Sequence, residues 1–285
     1  MEQNDRYIPG VPCWIDTTQP DPDTGAAFYA ELFGWELEDR MPAGSPGKYY
    51  VARIRGEDVA AVSSQPEGAP EAAVWNTYVW VEDADETTAK VRDAGGTVLT
   101  EPFDVGDAGR MATFADPGGA AFCVWQAKQH RGAGIVNEHG SLNFNNLSTR
   151  DLEGAQAFYG AVFGWDIIHG SFWALPGYGD FLEQRNPGMR EGMAGMGAPE
   201  RFEDVVASAA LTPDEEPHWG VAFAVDDADA VAARAAELGG TVVVPPFDVP
   251  WVRMTVISDP QSATFTASKF VPENKDLAQD AAAAR

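Results

Sequence analysis

The sequence predicts an α+β fold laid down twice in tandem, and two observations predict it. Blocks of sequence recur in one order at a nearly constant offset, and inside each recurrence strand-like runs alternate with helical ones. Ala27-Phe28-Tyr29 through Phe33-Gly34-Trp35 returns as Ala157-Phe158-Tyr159 through Phe163-Gly164-Trp165, 130 residues later. Trp75 to Asp83, Gly95-Gly96-Thr97-Val98 and Pro102-Phe103-Asp104-Val105 return 144 residues later. Arg110-Met111 and Asp116-Pro117 return as Arg253-Met254 and Asp259-Pro260, 143 residues later. A 14-residue insertion in the second copy and one later deletion account for the changes of offset. The expected boundaries are a first module over 1–127, a linker over 128–140, a second module over 141–271 and a tail over 272–285.

Each element has a local reason. A short strand, Pro12 to Thr17 or Leu142 to Leu147, leads through an Asp-bearing turn into a helix, where the carboxylate of Asp21 or Asp151 caps free backbone N–H groups. Ala26, Ala27, Tyr29, Ala30, Leu32 and Phe33 give that helix an apolar face, and Gly34 and Gly164 end the two helices. Glycine- and proline-rich connections follow, with short strands around Tyr49 to Arg55 and Gly170 to Leu175. A second strand and helix come next, Thr77 to Val81 then Ala84 to Ala94, repeated as Val221 to Val225 then Ala228 to Leu238, each closed by a Gly-Gly pair. Three strands finish each copy, with an Asp-Pro turn before the last.

Composition narrows the function classes. A formal net charge of -25 repels a phosphate backbone, so nucleic acid and anionic membranes are excluded as expected partners. No apolar run is long enough to cross a bilayer, and the polar opening MEQNDRYIPG lacks the basic-then-apolar order of a secretory signal; a cytoplasmic protein is expected. Cys13 and Cys123 are too few to staple a chain of 285 residues.

The markers Phe-Tyr…Phe-Gly-Trp, Val-x-Asp-x-Asp, Gly-Gly-Thr-Val and Asp-Pro-Gly-Gly together resemble the vicinal oxygen chelate superfamily of glyoxalases, bleomycin-resistance proteins and extradiol dioxygenases, and the resemblance covers nearly the whole chain. The Phe-Gly-Trp variant is similar to that of the two-module, glyoxalase-like or hydroxylase-like type of actinobacteria. The resemblance implies tandem modules whose paired βαβββ units form curved mixed sheets that cup small-molecule sites. Metal-dependent members place His, Gln or Glu on the first, fifth and last strands of a module. Carried over, those places hold Trp14, Asn76 and Cys123 in the first copy and Phe144, Gly220 and Thr266 in the second. This set does not match the expected ligands, so no cofactor and no metal are expected.

Alternation sets the candidate site. Val79 and Val81, with Val221, Phe223 and Val225, belong beneath helices, so Asn76, Tyr78 and Trp80 in one copy and Gly220, Ala222 and Ala224 in the other face the cup. Ala121, Cys123 and Trp125 face inward on the last strand, and Trp14 and Asp16 on the first. The second copy's Leu142-Asn143-Phe144-Asn145-Asn146 is polar in both phases and has no secure orientation. The expected ligand contacts are thus Trp14, Asn76, Tyr78, Trp80, Cys123 and Trp125, with Phe144, Ala222 and Thr266 in a roomier second cup. Asp16 is the candidate general base and His218 a second catalytic candidate, whereas Cys123 lacks a nearby histidine to activate it. Arg110 and Arg253 read as loop braces.

Two functions compete. One is a metal-free protein binding a small hydrophobic or aromatic organic molecule, as monomer or homodimer. The other is a glyoxalase-like lyase, or a hydroxylase or isomerase, using acid-base chemistry in the same cup. A scaffold whose cups have lost their ligands is the third reading.

Overall fold

A computed structural model describes residues 6–66, 68 and 72–277. It contains two open eight-stranded mixed sheets. The first is built from β1 (Pro12–Gln19), β2 (Glu36–Asp39), β3 (Tyr49–Ile54), β4 (Glu57–Ser64), β5 (Val74–Trp80), β6 (Thr97–Val105), β7 (Gly109–Ala115) and β8 (Ala121–Ala127), in the order β2-β3-β4-β1-β5-β8-β7-β6. The second repeats that order with β9 (Leu142–Thr149), β10 (Asp166–Ile168), β11 (Phe172–Ala174), β12 (Val205–Leu211), β13 (His218–Ala224), β14 (Thr241–Val249), β15 (Val252–Ser258) and β16 (Thr264–Phe270). The inner pairs β1 with β4 and β5 with β8 are parallel, and the outer pairs are antiparallel.

The helices start and stop as their end residues require. Helix α1 (Pro22–Phe33) is capped by the Asp21 carboxylate and ends on Gly34 at φ 72, a left-handed turn that a side chain would resist. Helix α3 (Leu152–Phe163) ends the same way on Gly164 at φ 74. Asp83 caps α2 (Ala84–Asp93) and Asp227 caps α6 (Ala228–Glu237). Two further helices, α4 (Tyr178–Arg185) and α5 (Met189–Met196), lie between β11 and β12, where the first copy has a tight hairpin through Arg55 and Gly56; shorter connections elsewhere in the second copy reduce the net gain to 14 residues. Glycines at both N-caps hid these helices from a reading based on capping side chains. Strand β4 also lacked an alternating signature, because Val59 to Ser63 are buried on both faces.

The chain forms two compact units, and each draws on both sequence copies. One comprises Met1–Trp14, Thr77–Gly132 and Phe144–Trp219; the other comprises Ile15–Asn76, Ala133–Asn143 and Gly220–Arg285. In the second of these, α1 and α6 cover a core that includes Ile15, Phe28, Tyr29, Phe33, Trp35, Trp75, Val221, Phe223, Val225 and Phe265.

The recurring motifs take their meaning from this arrangement. Tyr29 donates from its hydroxyl to Asp259 Oδ2 at 3.0 Å and accepts from Trp75 Nε1 at 3.1 Å. Asp259 Oδ1 in turn accepts from the backbone N–H groups of Gln261 (2.9 Å) and Ala263 (2.8 Å). In the other unit Tyr159 donates to Asp116 Oδ2 at 3.0 Å and accepts from Trp219 Nε1 at 2.8 Å, while Asp116 Oδ1 accepts from the Ala120 N–H. The Tyr of Phe-Tyr in one copy therefore satisfies the Asp of Asp-Pro in the other, which a buried carboxylate requires. The Phe-Gly-Trp blocks work likewise: Trp35 Nε1 donates to the Gly140 carbonyl and Trp165 Nε1 to the Gly10 carbonyl, both at 2.8 Å. Arg110 and Arg253 brace helix starts, each bidentate to an aspartate, Asp85 on α2 and Asp229 on α6. The expected tail holds a 3-10 turn over Pro272–Asp276, and residues 278–285 lie outside the described residues.

Candidate functional site

The helix-free sheet faces hold the candidate site residues. Val221, Phe223 and Val225 belong to the helix-packed core, so Gly220, Ala222 and Ala224 of β13 take the opposite face. Phe122 packs on Phe158, Tyr159 and Phe163 of α3, which turns Cys123 and Trp125 of β8 to the opposite face of their sheet.

In the unit that holds α1, Asp16 is the principal polar group of β1. Its carboxylate is 3% exposed, and it accepts from Asn76 Nδ2 at 2.8 Å and from the Tyr49 hydroxyl at 3.2 Å. Three strands, β1, β3 and β5, thus deliver an acid, a phenol and an amide to one point. Such a cluster can orient a polar ligand or hold a carboxylate ionised for proton transfer.

The expected aromatic wall is buried against its own chain. Trp14 meets the His130 ring edge-on at 4.4 Å between centroids, and Trp125 meets it at 5.6 Å while donating from Nε1 to the His130 carbonyl at 2.9 Å. Tyr7 stacks on Trp80 at 5.9 Å. Tyr78 is buried, and the buried thiol of Cys123 lies 3.5 Å from Thr113 Oγ1. Burial pushes the other thiol, Cys13, well above its ordinary range, so that thiol is an inert core group.

The second sheet is different at the matched positions. Phe144 contacts Phe172 edge-on at 6.3 Å, and Asn146 accepts from the Ser208 hydroxyl. Ala222 is buried and Thr266, its register partner, is half-buried. His218 is exposed, with Nδ1 2.8 Å from the Glu216 carbonyl oxygen, and so stands apart from these groups. Where the first sheet has Tyr7, Trp80 and Trp125, the second has Asn137, Ala224 and Ser268, and these three residues line a cleft of about 790 Å³. Asn143, Val252 and Phe270 complete its apolar and amide wall, and Arg55, Glu138, His139 and Asp226 its charged rim. Residue-by-residue reading found Ala224 but missed Asn137, Ser268 and Phe270; the signal was the loss of an aromatic at Asn137 and Ser268, matched to Tyr7 and Trp125, and the gain of one at Phe270, matched to Ala127.

A divalent metal was tested against the donor set. Among the described residues no three His, Cys, Asp or Glu side chains converge, and the ligand places of the fold hold an indole, a phenyl, a glycine, a threonine, an amide and a thiol. That set does not fit a four- or six-coordinate divalent cation.

The family model of the Glyoxalase/Bleomycin resistance protein/Dioxygenase superfamily matches residues 14–124 and 141–265. The chain is 41% identical over 276 residues to the protein named "Putative glyoxylase CFP32" of Mycobacterium tuberculosis, covering 96% of this chain and all of that one. It is 35% identical over 276 residues to the anthracycline biosynthesis protein DnrV of Streptomyces peucetius, covering 92% of this chain and 94% of that one. Among solved structures, the 2,3-dioxygenase LapB of Pseudomonas sp. KL28 shares the fold at a TM-score of 0.58 and 13% identity, over 92% of this chain and 93% of that one. The Mn(II)-bound glyoxalase of Novosphingobium aromaticivorans does so at 0.57 and 14%, over 92% and 83%. With two matched modules and a full-length relative at this identity, the chain belongs to the glyoxalase/bleomycin resistance protein/dioxygenase superfamily.

Proposed function

We propose that this protein binds a small organic molecule against the helix-free face of its second sheet, and does so without a resident divalent metal. The observation that carries the reading is the cleft at Asn137, Ala224 and Ser268, which lies where the first copy is filled by Tyr7, Trp80 and Trp125. A cleft of about 790 Å³ has the size of a small-molecule site, and its mix of apolar, amide and charged groups suits an amphipathic molecule. The chemistry of the donor set supports the metal-free part. The relatives' names, a glyoxylase and an anthracycline biosynthesis protein, support a small organic molecule as the ligand class.

Native mass spectrometry of protein purified without chelator tests this reading. An organic adduct is expected that disappears in Ser268→Trp, with less than stoichiometric Zn, Fe, Ni or Mn by elemental analysis. One metal per chain, or an adduct unchanged in Ser268→Trp, would defeat it.

A second reading has its own support. Asp16, held by Asn76 and Tyr49, has the setting of a general base in a glyoxalase-like lyase or isomerase. On that reading Asp16→Asn lowers turnover by roughly 100-fold or more while binding persists.

A further inference from the structure

The rim of the cleft carries a feature that the first copy lacks. Trp251, at the tip between β14 and β15, has φ 72, a left-handed conformation that bulky L residues resist. The turn is held there by the Val271 N–H, which donates to the Trp251 carbonyl at 2.7 Å. The indole lies parallel to the Phe270 ring, 6.3 Å between centroids and 4° between planes. Phe270 is 55% exposed and lines the cleft.

The first copy has Ala108, Gly109, Ala127 and Trp125 at the positions of Trp251, Val252, Phe270 and Ser268. There the Trp125 indole covers Gly109 so closely that a Cβ would collide with it. The second copy has moved its aromatic surface from the floor to the lip, leaving the floor open. Here a half-buried Trp251 in a strained conformation stacks on an exposed Phe270 beside an open cleft, and strain of this kind concentrates at ligand clamps. Part of the charged rim is paired: Arg55 with Glu138, and His139, whose Nδ1 accepts from the Asp226 N–H at 3.1 Å and lies 3.6 Å from its carboxylate. Lys269 also lines the cleft, beside the neutral Ser268 hydroxyl and the Asn137 and Asn143 amides, where Asn143 Nδ2 donates to Asn137 Oδ1 at 3.0 Å.

Building on the cleft reading above, we propose that the ligand is a planar aromatic molecule bearing hydroxyl or carbonyl groups, held at the lip by the Trp251–Phe270 stack. An aromatic face continues the stack, and a saturated ring of the same skeleton does not.

Isothermal titration with 2-naphthol and with its saturated counterpart, decahydro-2-naphthol, tests this. 2-Naphthol is expected to bind the tighter, and Trp251→Gly to weaken it roughly three- to tenfold, the scale of one aromatic contact, while leaving the saturated probe unchanged. Because glycine accepts positive φ, the melting temperature of Trp251→Gly should hold or rise, which separates loss of binding from loss of fold. Equal affinity for the two probes, no binding of 2-naphthol, or an unweakened Trp251→Gly overturns the proposal. Ser268→Trp separates this failure from that of the cleft itself. If Ser268→Trp abolishes binding and Trp251→Gly does not weaken it, the cleft stands and the lip falls. If 2-naphthol still binds Ser268→Trp, both fall.

Discussion

The two copies solve the same packing problem with opposite residues. On the helix-free face the first copy fills its space with Trp80 and Trp125, covered by Tyr7 and His130, whereas the second leaves Ala224 and Ser268 open. On the helix-packed face the contrast is of polarity. Ile15 and Val221 lie in one apolar core, while their repeat-related partners Asn145 and Thr77 meet in the other unit, where Asn145 Nδ2 donates to Thr77 Oγ1 at 2.8 Å. Both solutions satisfy their groups, the first by dispersion and water exclusion, the second by a buried hydrogen bond. A duplicated fold therefore tolerates divergence when contact partners change together.

The largest expected effect concerns the buried carboxylates. Asp259→Ala strips an acceptor from Tyr29, Gln19 and two backbone N–H groups, and should cost about 3–5 kcal/mol in urea unfolding. Asp116→Ala strips an acceptor from Tyr159 and from the Ala120 backbone N–H, and should cost less. Equal losses would show that the two networks are equivalent after all.

Next in size is the polar pair. Thr77→Val or Asn145→Ile alone leaves its partner buried without a bond, at about 1–3 kcal/mol each. The double variant recreates the Val221 and Ile15 pair and should recover most of the loss, so a double-mutant cycle should show coupling. Additive losses would break the comparison. Of similar size, Tyr159→Phe removes two buried hydrogen bonds, one to Asp116 and one from Trp219 Nε1, and should cost about 1–3 kcal/mol.

The smallest effect is a pH slope. Desolvation by burial raises the Asp116 carboxyl above its ordinary range, outweighing the hydrogen bonds from Ala120 and Tyr159 that lower it. The folded state therefore holds that proton more tightly than the unfolded state does. The contribution is present below the ordinary carboxylate range and is lost as pH rises through the raised value. Asp116→Asn should flatten that part of the stability profile, as read from urea midpoints across acidic pH.

Much of this was legible in the chain. The repeat, the capping aspartates, the glycine helix ends and the facing of β5, β8 and β13 follow from local spacing, because capping and alternation act over a few residues. The first strand of the second copy resisted, since Asn145 is polar on the packed face and only Thr77 explains it. The candidate site was legible as to strand and face, which placed Asp16 and Asn76 together, but not as to cover. Alternation tells which way a side chain points and says nothing of what distant segment lies over it.

By itself, then, the sequence determined the duplicated α+β architecture and the family. Tertiary structure alone decided that Tyr29 meets Asp259 across 230 residues of chain, that Tyr7 and His130 close over the first copy's aromatics, and that the space they would fill is open in the second. The physical reason is that hydrogen-bond satisfaction and close packing are settled between segments far apart in sequence, where spacing carries no information.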